Sequence, residues 1–163
     1  GDWAGTVEVL TEAKVLNLEL PSTALEAAVR TYSAGSQWKR AADVFESLLA
    51  SGAPLHQATV TAMFESLVQG RQGARAQALL QELTSRAEAK GIGRRALSPF
   101  YNLTVRALVR GGDADVAVSL ITSMALDDEV VVQRDSFNIV ASEMLRIGRE
   151  QDAEEVMELR DFV

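Results

Sequence analysis

The sequence predicts an all-α chain: an α-α superhelix, or solenoid, of about four and a half helix-turn-helix repeats with a period near 35 residues. Three observations carry that prediction. An alanine-anchored triplet recurs at a nearly constant interval, a second apolar-periodic stretch precedes each full recurrence, and helix-stopping residues fall where the patterns end.

The anchor is an alanine followed by large apolar residues four and seven positions later. Ala41, Phe45 and Leu48 fit it, as do Ala76, Leu80 and Leu83, and Ala117, Ile121 and Met124. Ala153 with Met157 is a fourth copy, and Thr6 with Leu10 and Ala13 is a degenerate earlier one. Successive anchors lie 35, 35, 41 and 36 residues apart, so the long interval holds an insertion of five to six residues. Offsets of four and seven return to one face of a helix with about 3.6 residues per turn. Trp3 in GDWAGTVEVL and Trp38 in SQWKRAADVF recur on the same spacing, and each is read as a packing residue at the start of a second helix.

Residues 1–20 form the second helix of an incomplete leading repeat, with Asn17 placed for a left-handed C-terminal cap. Repeat 1 spans 22–56: Ser22 is a candidate N-cap, Ala24 to Ala34 the first helix, and Gly52 the stop of the second. Repeat 2 spans 57–97, with Thr59 to Gln69 as its first helix and the insertion near 91–97, after Gly91 closes a longer second helix. Repeat 3 spans 98–133, where Ser98 is a candidate N-cap, Pro99 suits the first turn, and Phe100 to Arg110 is apolar-periodic. Repeat 4, residues 134–163, is truncated and opens on Ser136 to Ile147. Val130 to Val132 is too short and too hemmed by charge for a strand. The repeat phase puts Gly1 in the turn between two helices, so the chain is expected to be a segment of a longer array.

Composition narrows the function. With 47% hydrophobic and 24% charged residues and no apolar run of about 18, the chain has the make-up of a folded domain without a membrane span. The absence of cysteine removes disulfides and thiolate catalysis, and His56 is the single histidine, so no histidine pair offers itself to a metal. Gly91-Ile-Gly93 follows a helix and lacks the lysine of a phosphate loop. Asp127-Asp128-Glu129 and Glu154-Glu155 read as solvated carboxylates, and His56, beside Pro54 in a connection, as a surface residue. No nucleophile, base and orienter can be nominated, so neither enzyme activity, a small-molecule substrate nor a cofactor is expected. The net charge of −7 opposes a partner held mainly through phosphate. Residues 86–110 run the other way at +5, with six cations against Glu88 alone.

Two families share this period. Tetratricopeptide repeats, of about 34 residues, place a close-packing glycine in the first helix, and the stretches Ala24 to Ala34, Thr59 to Gln69 and Phe100 to Arg110 have none. The sequence instead resembles the pentatricopeptide repeat family. FYNLTVRALVRGGDADVAVSLITSM carries Tyr101-Asn102, Gly112, Ala117 and Met124 where that family's motif has them, and SFNIVASEMLRIGREQDAEEVM matches through Phe137-Asn138, Gly148 and Ala153.

The resemblance implies a groove lined by first helices, with one RNA nucleotide read per repeat. First-helix reader positions would be Glu26, Thr61, Asn102 and Asn138, with partner readers His56, Leu97 and Gln133; Asn102, Asn138, Thr61 and Gln133 have side chains suited to base edges. Arg106, Arg110 and Arg146, with Arg94 and Arg95 of the insertion, are candidate phosphate or partner contacts. An asparagine near a helix start is equally a local backbone hydrogen-bonder. Two functions are therefore carried forward. The favoured one is a non-catalytic scaffold docking protein subunits of a larger assembly. The alternative is sequence-specific single-stranded RNA binding. The resemblance also implies an organelle, plastid or mitochondrion.

Overall fold

A computed structural model describes residues 2–163; Gly1, and the turn expected there, lie outside the described residues. Among those residues there are nine α-helices and no strand. They are α1 (Trp3–Val15), α2 (Ser22–Ala34), α3 (Trp38–Ser51), α4 (Gln57–Gln69), α5 (Gly73–Ala89), α6 (Ser98–Gly111), α7 (Ala114–Ala125), α8 (Arg134–Arg146) and α9 (Glu150–Phe162), with a 3-10 turn at Arg94–Leu97 before α6. They fall into two compact units, the first ending at Gly70 and the second running from Arg71 to Val163.

In the first unit α2 packs on α3 and α4, and α1 lies against α2. Val29 and Tyr32 of α2 are buried with Ala41, Phe45 and Leu48 of α3 and with Met63, Phe64 and Leu67 of α4. Ala41 is fully buried, which fits an anchor kept small so that helices can approach. The two tryptophans set a second close contact. Trp3 lies on Gly35 and Trp38 on Gly70, where a Cβ on either glycine would come 2.5 Å from the indole Cδ1. The rings also carry cations, with Arg40 5.7 Å from the Trp3 centroid and Lys39 5.6 Å from that of Trp38.

In the second unit α6 is central, touching α5, α7 and α8, while α9 packs on α8 and α7. Val105, Leu108, Ala117, Ile121, Met124, Phe137, Val140 and Met144 close one core. At the start of α5, Gly73 occupies the register of Trp38. A Cβ there would sit 2.8 Å from the Leu108 Cα, so backbone fills the space that indole fills one repeat earlier.

Helix ends follow local chemistry. Asn17 and Gly52 take left-handed φ values of 52° and 68° where α1 and α3 stop. The insertion is absorbed by the 17 residues of α5, closed by Gly91, and by the 3-10 turn. Two expectations fail. Ser22 and Ser98 are first residues of their helices and cap neither; the N-caps are Pro21 and Leu97. The Ser98 hydroxyl instead accepts the Val131 N–H at 2.9 Å, tying the loop after α7 to the start of α6.

Candidate functional site

The first-helix reader register holds the polar groups that join successive helix pairs. Glu26 in α2 is 2% exposed, and its carboxylate accepts the Thr59 hydroxyl at 2.5 Å and the His56 N–H at 3.0 Å. The His56 ring Nδ1 lies 2.9 Å from the other oxygen. His56 and Thr59 sit at the N-terminus of α4, so a carboxylate of α2 receives donors that the first turn of α4 cannot satisfy internally. Burial pushes the Glu26 carboxyl up, but the hydrogen bonds from Thr59 and His56 outweigh it and hold the pKa at about 2. Arg30 completes the cluster by donating to the Thr59 oxygen at 3.0 Å.

Asn102 repeats the device in α6. Its amide oxygen accepts the Gln133 N–H at 2.9 Å and the Ser136 hydroxyl at 2.7 Å, at the N-terminus of α8. Its amide nitrogen donates to the carbonyls of Ser98 and Val131 at 2.8 and 2.9 Å. Asn102 is 5% exposed and uses both ends of its amide. Glu26 and Asn102 are each the fifth residue of a first helix, and each clasps the N-cap N–H and the third-residue hydroxyl of the next first helix.

The remaining candidates are dispersed. Asn138, the α8 counterpart, is exposed, and its oxygen accepts from Arg160 at 3.1 Å. Thr61 is half-buried in α4, and the Gln133 residue is exposed although its N–H is taken by Asn102. Arg106 pairs with Asp135 at 3.0 Å, and Arg146 with Glu143 through two hydrogen bonds of its own helix. Arg94 pairs with Asp127 at 3.1 Å and its N–H donates to Glu129. Arg95 and Arg110 are exposed and make no ion pair among the described residues. Among those residues no group of three His, Asp or Glu is arranged around a metal position.

The role of His56 went unread in the sequence. It is largely exposed yet bonded to a buried carboxylate 30 residues away. The available signal was a threonine at the third position of a first helix with an acid at the fifth position of the one before, repeated as Ser136 and Asn102.

Helix pairs joined through their first helices in this way define an all-α helical-repeat protein. Eleven chains of solved structures match it. One is the crystal structure of the pentatricopeptide repeat protein PPR10 from maize, with a TM-score of 0.69 and 15% identity over 94% of this chain. The chain spans 21% of that protein's length. The fold is therefore that of a pentatricopeptide-like helical-repeat superhelix. No protein-family profile and no curated protein matches the sequence.

Proposed function

We propose that this chain is a non-catalytic binding scaffold whose repeat surfaces dock protein subunits of a larger organellar assembly. The observation that supports it most is the commitment of Asn102. A side chain that would face a nucleobase is 5% exposed, with its amide spent on Ser98, Val131, Gln133 and Ser136. Leaving such partners for a base would strand buried donors and acceptors, at about 1–3 kcal/mol each. Charge acts in the same direction, since the chain carries −7 and Arg106 and Arg146 are already paired with carboxylates.

Single-stranded RNA is the second reading, and it rests on what is left outside the clasps: Thr61, Asn138 and Gln133 as base contacts, with Arg95 and Arg110 as phosphate contacts. Titrating the intact chain with a labelled mixed-sequence RNA at about 50 mM salt separates the two, because each phosphate contact adds close to one unit of logarithmic salt slope. The scaffold reading expects no saturable anisotropy change. Saturable, salt-sensitive binding that weakens on Arg110→Ala would replace it with the RNA reading.

A further inference from the structure

We propose that the end face formed by α8 and α9 is a docking site for the first turns of an α-helix of a partner protein. This site deepens the scaffold reading and rests on it. The argument starts from two seats already filled. α4 lies on α2 and α3, and α8 lies on α6 and α7. Each seated helix brings an N-cap N–H, from His56 or Gln133, and a third-residue hydroxyl, from Thr59 or Ser136, to the fifth-position side chain beneath it. Each then buries its fourth, seventh and eleventh residues: Val60, Met63 and Leu67 in one, Phe137, Val140 and Met144 in the other.

A shift of 36 residues carries the second seat onto α8 and α9. Asn102, Val105, Val109, Ala117 and Ile121 become Asn138, Ala141, Leu145, Ala153 and Met157. These last residues line an open groove of roughly 350 Å³. Leu145 is 58% exposed there. The Asn138 oxygen holds one hydrogen bond, from Arg160, where that of Asn102 holds two. The groove is thus the interface of the preceding repeat without its helix.

The occupant is constrained by chemistry. It presents a free N–H at its N-cap, Ser or Thr at its third position, and apolar residues at its fourth, seventh and eleventh. Glu154 lines the groove in the register where the filled seat has Val118, so the occupant also carries a Lys or Arg. A second copy of this chain fits poorly. Its N-terminal first helix, α2, offers Pro21, which has no N–H, and Ala24, which has no hydroxyl.

The test uses the intact chain and three labelled peptides stapled into helices, since free helices this short are marginal in water. They copy residues 56–69, 133–146 and 21–34. The first two are expected to bind saturably and the third not to bind. Ser136→Ala in the 133–146 peptide should weaken it about tenfold, Asn138→Ala in the protein should weaken it similarly, and Leu145→Glu should abolish binding. The proposal is overturned if neither peptide binds at about 1 mM, if the 21–34 peptide binds equally, or if Asn138→Ala and Leu145→Glu leave binding unchanged. Self-association of the chain that Leu145→Glu removes would overturn it in favour of a second copy. The RNA titration fails or succeeds independently: peptide binding lost without RNA binding removes this face alone, and RNA binding with the peptide data intact removes the scaffold reading alone.

Discussion

The Asn102 amide oxygen accepts the Ser136 hydroxyl at 2.7 Å, joining residues 34 apart in sequence. Around that bond the same side chain satisfies Gln133, Ser98 and Val131, all at the junction of α6 with α8. Asn102→Ala should therefore cost stability, about 1–3 kcal/mol, because buried partners lose water and gain nothing. The midpoint of urea unfolding checks this.

Glu26 gives the chain a pH dependence of definite sign. Burial raises its pKa, while Thr59 and His56 lower it further, from an ordinary 4.5 to about 2. A group depressed on folding contributes stability above its unfolded pKa and loses it as pH falls toward the folded one. Stability should drop between pH 4.5 and 2 in part through this carboxyl, and Glu26→Gln should flatten that portion of the acid limb. Denaturant midpoints collected across the range test it; parallel limbs in variant and parent would contradict it.

Gly70 is held free of a side chain by Trp38. A Cβ would meet the indole Cδ1 at 2.5 Å and Nε1 at 2.9 Å. Gly70→Ala would ordinarily help a helix end by a few tenths to 1 kcal/mol, but displacing a packed ring costs about 1–3 kcal/mol. Net destabilisation with altered tryptophan fluorescence is expected. The φ of Gly70 is −76°, so strain in the backbone plays no part.

The stack should open first at α1. Only Ala13 of that helix is buried, against Ala41, Phe45, Leu48 and Leu49 in α3. In a repeat array each element is held by its neighbours alone, so local opening follows local burial. Amide hydrogen exchange should be fastest in α1 among the helices of the first unit, and equal protection of α1 and α3 would count against it.

Much of this architecture was legible because repetition turns local patterns into global ones. The alanine anchors, the paired tryptophans and the stops at Asn17, Gly52 and Gly91 are each fixed by helix periodicity or by a left-handed backbone that few residues accept. The caps failed for Ser22 and Ser98 because a hydroxyl near a helix start has more than one taker, and Val131, 33 residues on, claims that of Ser98. For Asn102 the local alternative was half the answer: the bond to Ser98 is local, and those to Val131, Gln133 and Ser136 depend on how α8 sits on α6. His56 was misread for the same reason, since its carboxylate partner belongs to the preceding repeat.

The central claim is that the fifth residue of a first helix binds the next helix pair. A double-mutant cycle of Asn102→Ala and Ser136→Ala measures that directly. Residues in one hydrogen-bond network couple by about 0.5–3 kcal/mol, whereas independent sites add within roughly 0.5 kcal/mol. The clasp predicts coupling near or above 1 kcal/mol; additive losses would contradict it.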